Sequence, residues 1–248
     1  MKAMILAAGL GTRLKPLTDS LPKALVEIEG IPMLERVIRN LQRWDVNQFV
    51  VNTHHFSDKV KAFIDTNDFG CTIEISDETD ALLDTGGGLV KARQILFEND
   101  ADVLVHNVDI ISNADFKDLL KYHRSSGNDV TLLVSPRDSS RKLIFDEDMS
   151  LKGWKNIITG EERGPQPLKK EKVFSEFAFS GIYIINSKSV GEMEYLWGFN
   201  KKFPIMDYFL SSSRKARIGG FLQSDLKLLD IGKPATLSQA NILLHEIE

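Results

Sequence analysis

The sequence lacks the features that mark secreted, membrane-spanning and nucleic-acid-binding proteins. Its 248 residues include one cysteine, Cys71, which excludes an internal disulfide framework and favours a reducing compartment. No apolar run reaches about 18 residues, the length of a spanning helix, and the first run breaks at Gly9, unlike a secretory signal. A net charge of −4 argues against a general nucleic-acid binder. We therefore expect a cytoplasmic monomer or small homo-oligomer without nucleic-acid or membrane partners.

The two commonest phosphate-binding motifs are also absent. A Gly-x-Gly-x-x-Gly fingerprint would need glycine where Leu14 stands, and no Gly-Lys-Ser or Gly-Lys-Thr occurs. Instead, an apolar run typical of a buried strand ends at Leu6 and leads into a loop of small residues. Successive N–H groups in such a loop can bind an anion, and Arg13 and Lys23 add positive charge. The candidate nucleotide-binding residues of this stretch are Leu6, Ala7, Ala8, Gly9, Gly11, Thr12, Arg13 and Lys23.

Strand and helix patterns alternate through the first half of the chain. The pattern predicts a helix opened by Ile31-Pro32, a helix capped by Ser57, and a helix that follows the glycine triplet at 86–88. The predicted strands lie at 48–52, 71–76, 102–108, 130–135, 143–145, 151–158, 177–185, 217–222 and 226–231. Repeated βα units imply an α/β fold with a mainly parallel sheet and helices on both faces.

Two aspartates follow apolar strand patterns and are candidate metal ligands. Asp109 ends the strand at 102–108, and Asp230 stands in Leu228-Leu-Asp-Ile-Gly232. Ligands of open parallel sheets bind beyond the carboxyl ends of the strands. Mg²⁺ takes one or two carboxylates together with phosphate oxygens, so the two aspartates could share one ion. For Asp109 alone, capping of the next turn is the alternative.

The glycine triplet is a second candidate contact for a nucleotide. Thr85, Gly86 and Gly87 precede a predicted helix, whose N-terminus favours an anion, and a bare backbone could lie against a base or ribose. An ordinary flexible turn is the alternative.

Taken together, these motifs resemble the signature of the sugar-phosphate nucleotidyltransferases, which join a nucleoside triphosphate to a sugar 1-phosphate and release pyrophosphate. The resemblance rests on the string from Leu6 to Lys23, on Asp84-Thr-Gly-Gly-Gly88, on Asp109 and on Asp230-Ile-Gly232. It runs over nearly the whole chain. Segments 145–156 and 179–183 look most like N-acetylmuramate 1-phosphate uridylyltransferases, and mannose 1-phosphate guanylyltransferases are close relatives.

The resemblance implies a Rossmann-like three-layer αβα sandwich with a mixed, mainly parallel sheet. It implies a single nucleotidyltransferase domain over residues 1–248, with a nucleotide-binding half at about 1–110 and a sugar-binding half at about 111–248. Larger family members carry a C-terminal β-helix, which we expect this chain to lack.

The resemblance also assigns roles to residues. Arg13 matches the arginine that contacts the triphosphate, Lys23 matches the lysine that holds phosphate oxygens, and Asp109 and Asp230 match the metal ligands. Arg13, Lys23 and Asp109 are thus the expected catalytic residues, and Mg²⁺ is the expected cofactor. The candidate residues for the sugar phosphate are Asn107, Arg141, Lys155, Ser180 and Gly181, with Asn107 also expected to contact the nucleotide.

Several positions leave alternatives open. Val108 stands where the family usually has a small residue, which matters if its side chain faces the ligand and matters little if it faces the core. Trp154 could stack on a sugar or fill the core. His54 and His55 suit a loop better than a metal site, and His106 suits the interior. Loop 159–172 is rich in glycine, proline and charge, and could close over a substrate.

The function that these patterns predict is Mg²⁺-dependent transfer of a nucleotidyl group from a nucleoside triphosphate (NTP) to a sugar 1-phosphate. The first choice of substrates is UTP with N-acetylmuramate 1-phosphate, and the second is GTP with mannose 1-phosphate. The alternatives are a non-catalytic regulator that binds a nucleotide sugar and a CTP-dependent phosphocholine cytidylyltransferase.

Overall fold

A computed structural model describes residues 1–98, 101–165 and 174–247. The strands within them are β1 (Lys2–Leu6), β2 (Glu27–Ile28), β3 (Ile31–Pro32), β4 (Gln48–Thr53), β5 (Thr72–Asp77), β6 (Val103–Asn107), β7 (Ile110–Ser112), β8 (Val130–Ser135), β9 (Arg141–Phe145), β10 (Leu151–Asn156), β11 (Glu162–Arg163), β12 (Ser175–Ile185), β13 (Ile218–Leu222) and β14 (Leu228–Asp230). The α-helices are α1 (Met33–Gln42), α2 (Ser57–Thr66), α3 (Asp84–Lys91), α4 (Arg93–Leu96), α5 (Phe116–Ser126), α6 (Ser187–Trp197), α7 (Ile205–Ser212) and α8 (Pro234–Ile247). None of the described helices combines the length and apolar character needed to cross a bilayer.

The central sheet runs in the order β5–β4–β1–β6–β12–β8–β13. Strand β1 pairs in parallel with β4 and β6, β4 pairs in parallel with β5, and β8 pairs in parallel with β13. Strand β12 is antiparallel to its neighbours β6 and β8, and its first residues continue into an antiparallel ribbon with β9, β10 and β11. The predicted α/β fold with a mixed, mainly parallel sheet is therefore confirmed.

Helices cover both faces of the sheet because each has one apolar stripe. On α1 the buried residues Leu34, Ile38 and Leu41 recur at helical spacing and join a core with α2 and α5. The opposite face is covered by α3, α4, α6 and α7, where Tyr208 and Phe209 are fully buried. Each such side chain stabilises the fold by about 1.5–3 kcal/mol. The result is the predicted sandwich of three layers.

A small second sheet joins the two predicted metal ligands. Strand β14 is antiparallel to β7, with Asp230 opposite Ile110. The backbone N–H of Ile231 donates to the carbonyl of Asp109 over 2.8 Å. Helix α8 buries Leu244 in a third core cluster that also contains Leu14. The C-terminal helix thus packs on the same part of the fold as the loop that follows β1.

Three local predictions are wrong. The glycine triplet lies inside α3, which begins at Asp84, and does not precede the helix. Ser57 does not cap α2, because the N-cap is Phe56 and the Ser57 hydroxyl bonds to the Thr53 hydroxyl at 2.8 Å. The predicted strand at 151–158 ends at Asn156. Strand β7 and helix α6 were not predicted, and residues 166–172 of loop 159–172 lie outside the described residues.

Candidate active site

Three parallel strands end at one cleft of about 410 Å³. The register places Leu6 at the end of β1 beside Asn52 of β4 and Asn107 of β6. This is the edge at which open α/β sheets bind ligands. The predicted site residues that line the cleft are Leu6, Ala7, Ala8, Gly9, Gly11, Thr12, Arg13, Lys23, Thr85, Asn107 and Asp109.

The loop after β1 depends on Gly11. Its φ is 64°, a left-handed conformation that costs L-residues energy, and an added Cβ would lie 2.9 Å from the Thr18 Cγ2 atom. The Gly11 carbonyl accepts hydrogen bonds of 2.8 Å from the Thr18 hydroxyl and from the Leu14 N–H. These contacts start a short helical turn at Thr12 and leave Arg13 on the cleft wall.

Lys23 and Asp109 form an ion pair at the floor of the cleft. Lys23 stands in the short helical turn Lys23–Leu25 and is 8 % exposed. Its Nζ donates to Asp109 Oδ2. Because both groups are largely shielded from water, their attraction is stronger than that of a surface pair, and each fixes the position of the other.

Asp230 completes this cluster of charges. Its carboxyl contacts that of Asp109, and burial followed by the Asp109 charge raises the pKa of Asp230 against the opposing effects of Lys23 and Arg13. Gly232 gives the cluster room, since a Cβ there would lie 2.7 Å from the Arg13 guanidinium and 2.8 Å from Asp230 Oδ1. The structure therefore brings together all four residues that the sequence singled out for phosphate and metal.

The donor set of this cluster fits Mg²⁺. The described residues contain no group of three or more Asp, Glu, His or Cys side chains that could hold a metal on their own. Asp109 and Asp230 offer two carboxylates in contact, and a divalent cation would relieve their mutual repulsion. Mg²⁺ is commonly held in this way, by one or two carboxylates, with phosphate and water oxygens filling the other positions.

The glycine triplet has a packing role that the sequence did not indicate. An added Cβ would lie 2.3 Å from the Phe203 ring at Gly86 and 2.1 Å from the Lys201 carbonyl oxygen at Gly87. The N–H groups of Gly86 and Gly87 donate to the Phe203 carbonyl over 3.0 and 3.3 Å. Gly86 and Gly87 therefore pack against the chain at 201–203 and do not line the cleft, and their contact with a nucleotide stays a prediction. Thr85 does line the cleft.

The structure does not bring all of the predicted sugar-side residues into the cleft. Ser180 is buried, and its hydroxyl donates to the Leu133 carbonyl at 2.8 Å, which gives it a structural role. Gly181 has φ 79° and lies against the Asn107 amide, so it makes room for that side chain. Lys155 pairs with Glu176 on the surface, and Arg141 is exposed. None of these four residues lines the cleft.

The surroundings of the other residues with alternative roles show where each of them lies. Val108 is 4 % exposed and belongs to a core cluster, and it also lines the cleft, so it lies at the boundary between the core and the site. Trp154 packs against the core of the other face, beneath the Arg163 guanidinium. His54 bonds to the Glu78 carbonyl at 2.7 Å, which fits the expected loop role. His106 is interior as predicted, and burial lowers its pKa to about 4.

Comparison with known proteins places the chain in a family. A family model described as nucleotidyl transferase matches residues 2–246. The chain belongs to the nucleotidyl transferase family. A mannose-1-phosphate guanyltransferase of Gibberella zeae is 33% identical over 196 residues, 78% of this chain and 52% of that protein. An N-acetylmuramate alpha-1-phosphate uridylyltransferase of Caulobacter vibrioides is 43% identical over 112 residues, 44% of this chain and 46% of that protein.

A solved structure supports the fold of this nucleotidyl transferase. A putative glucose-1-phosphate thymidylyltransferase from Bacillus anthracis superposes with a TM-score of 0.78 at 20% identity, covering 100% of this chain and 96% of that one. At that identity the likeness concerns the fold alone. The chain spans about half the length of the curated relatives that it matches.

The sequence did not indicate one further cation, which lies beside the cluster of charged side chains in this nucleotidyl transferase. Arg137 follows β8, whose carboxyl end lies at the same edge of the sheet as that of β6. Its guanidinium donates to the Phe179 carbonyl at 2.9 Å, and its Nε is buried without a partner among the described residues. Burial lowers the pKa of Arg137, whereas the nearby Asp230 charge opposes this effect. In the sequence, Arg137 stands in a polar Pro-Arg-Asp-Ser run that reads as a loop.

Proposed function

We propose that this protein transfers a nucleotidyl group from an NTP to a sugar 1-phosphate and releases pyrophosphate. The observation that carries the proposal is the convergence of Arg13, Lys23, Asp109 and Asp230 beside a backbone loop at the end of three parallel strands. A binding site for an uncharged ligand would not need two cations and two carboxylates in contact. The family to which the chain belongs supports the same reaction.

The two sides of the cleft would have different tasks. The donor wall comprises residues 6–13, Lys23 and residues 82–85, and would hold the triphosphate through backbone N–H groups, Arg13 and Lys23. The acceptor wall would centre on Arg137, beside β12, where its unpartnered Nε suits a phosphate oxygen of the acceptor.

The chemistry is an in-line displacement at phosphorus. An acceptor phosphate oxygen forms a bond to the α-phosphorus of the NTP, the bond to the bridging oxygen breaks, and pyrophosphate leaves with the electron pair. Alignment and neutralisation of charge would supply most of the catalysis, with Arg13 against the triphosphate and Lys23 fixing the Asp109 carboxylate. Asp109 and Asp230 would hold Mg²⁺, which would supply neutralisation of phosphate charge.

For the substrates, we propose UTP with N-acetylmuramate 1-phosphate first and GTP with mannose 1-phosphate second. The relative named for the first reaction has the higher identity, although over the shorter stretch. Because the matched stretch covers only about half of each of these relatives, the activity of the whole protein belongs to the proposal.

The decisive experiment combines four NTPs with several phosphorylated acceptors and measures pyrophosphate. The acceptors are N-acetylmuramate 1-phosphate, mannose 1-phosphate, glucose 1-phosphate and phosphocholine, each with Mg²⁺ and with EDTA. We expect release with one sugar 1-phosphate, no release in EDTA, and none from an Asp109→Asn variant. Release with only CTP and phosphocholine would mean that the acceptor is phosphocholine and not a sugar 1-phosphate. Binding of a nucleotide sugar without release from any pair would identify a regulator instead of an enzyme.

A further inference from the structure

A buried carboxylate lies behind the donor wall and does not itself line the cleft. Glu78 follows β5 and is 0 % exposed. Its sequence context, Ser76-Asp-Glu-Thr-Asp80, is typical of a solvated acidic loop, so nothing in the sequence marks it. Carboxylates are almost never fully buried without partners, and here the partners lead to the cleft.

One oxygen of Glu78 is connected to the loop after β1 through hydrogen bonds of Asn52. Glu78 Oε1 accepts a hydrogen bond of 2.7 Å from the Asn52 Nδ2 group. The Asn52 Oδ1 atom in turn accepts from the Ala7 N–H, also at 2.7 Å. Because the Ala7 N–H needs an acceptor, the Asn52 amide has one orientation, with its NH₂ group toward Glu78.

The second oxygen of Glu78 binds the backbone at the other end of the donor wall. Glu78 Oε2 accepts from the Leu83 N–H at 3.1 Å, and Leu83 is flanked by Leu82 and Asp84, which line the cleft. Gly88 leaves room for this arrangement, since a Cβ there would lie 2.6 Å from Glu78 Oε1 and 2.8 Å from Asn52 Nδ2. One carboxylate therefore connects two loops that approach the cleft from different strands.

We propose that Glu78 is a positioning residue that sets the spacing of the two loops forming the donor wall, and thereby the affinity for the NTP. The inference rests on the proposed function. Both neighbours of the carboxylate are N–H donors, so it must accept two hydrogen bonds at once. The pair of bonds to the carboxylate holds the loops in place before a nucleotide arrives, which lowers the cost of ordering them on binding.

The sharpest variant is Glu78→Gln, which keeps the shape and changes the hydrogen-bonding pattern. Glutamine has one acceptor and one donor group, so its NH₂ must face either Leu83 N–H or Asn52 NH₂. One of the two connections is then lost. We expect the KM for the NTP to rise about tenfold, the loss of ~1.4 kcal/mol of binding, while the KM for the acceptor stays within about twofold.

A matched control separates positioning from stability. Thr131 is fully buried on β8 and its hydroxyl bonds to His123 Nδ1 at 2.8 Å, outside the set of residues that line the cleft. Thr131→Val breaks a buried polar pair in the same way. We expect it to lower the melting temperature by a similar amount and to leave both KM values unchanged. If Glu78→Gln and Thr131→Val raised the KM for the NTP and the KM for the acceptor to the same extent, the proposal would be overturned.

Amide hydrogen exchange tests the hydrogen bonds around Glu78 without a measurement of turnover. In the wild-type protein we expect the N–H groups of Ala7 and Leu83 to exchange slowly before nucleotide is added, and faster in Glu78→Gln. Fast exchange of both groups in the free wild-type protein would refute the positioning role, even if the variant failed to fold. If no NTP and acceptor pair releases pyrophosphate, the proposed function fails while the exchange result still decides whether Glu78 orders the wall.

Discussion

The two walls of the cleft differ in how their groups are held. The donor wall is built on adjacent parallel strand ends, and buried hydrogen bonds through Asn52 and Glu78 connect its loops. The acceptor wall adjoins the long strand β12 and the antiparallel ribbon, where Lys155, outside the cleft, pairs with Glu176 on the surface. Buried bonds fix geometry more strongly than exposed ion pairs do. The donor wall is therefore suited to holding an NTP in one fixed geometry, and the acceptor wall is suited to binding different acceptors.

The largest effect that would test this contrast comes from Asp109→Asn. We expect kcat to fall by about a thousandfold or more, because the ion pair with Lys23 and a proposed metal ligand are lost together. Pyrophosphate release measures the rate, and circular dichroism checks the fold. Asp68→Asn in an exposed turn is the matched control and should leave kcat unchanged. A near-normal rate in Asp109→Asn would contradict the two-carboxylate site.

The next effect concerns the donor wall itself. Arg13→Ala should lower kcat/KM for the NTP by about a hundredfold, since it removes a fixed cation from the place where charge develops. Lys15→Ala is the control, because Lys15 forms an exposed pair with Asp19 at 3.0 Å and does not line the cleft. Similar kinetics for the two variants would remove Arg13 from the active site.

A smaller effect would locate the acceptor. Arg137→Ala should raise the KM for the acceptor about tenfold, the value of one hydrogen bond to a charged group, and leave the KM for the NTP nearly unchanged. Arg141→Ala is the matched comparison, because Arg141 was predicted from the sequence and is exposed. If Arg141→Ala has the larger effect on the acceptor, the assignment of Arg137 is wrong.

The last test concerns stability and not catalysis, at strand β6, which pairs with β1 on one side and with β12 on the other. His106 on β6 has its pKa lowered by burial to about 4 from 6.5, so it is neutral in the folded protein at pH 7. The unfolded chain takes up the proton first, and stability present above pH 6.5 is lost as the pH falls toward about 4. The loss is on the order of 3 kcal/mol.

Urea unfolding between pH 7 and pH 4.5 measures this effect. The variant His106→Gln should show a weaker dependence on pH than the wild type. His245→Gln, at a side chain that is 80% exposed, should behave like the wild type. The buried His123 also has its pKa lowered by desolvation, so part of the slope should remain. An unchanged slope in His106→Gln would mean that His106 is not the group that titrates.

Prediction from the sequence succeeded where the signal is local. The alternation of apolar strands and amphipathic helices indicated the α/β fold, and the strand ends at Leu6 and Asn107 indicated the edge where the cleft lies. It missed the packing role of Gly86 and Gly87, since glycines required by a neighbouring segment at 201–203 look the same in sequence as glycines of a ligand loop. It also missed the structural role of Ser180, whose partner Leu133 is distant in the chain.

By itself, the sequence determined the residue types and the periodic patterns: small residues after a buried strand, two cations, and aspartates at the ends of apolar strands. These are local properties, set by backbone conformation and by burial of one face. Only the tertiary structure decided that Asp230 meets Asp109, that Arg137 stands beside them, and that the buried Glu78 connects both donor loops. Such contacts depend on sheet order and strand register, which residues far apart in the chain fix jointly.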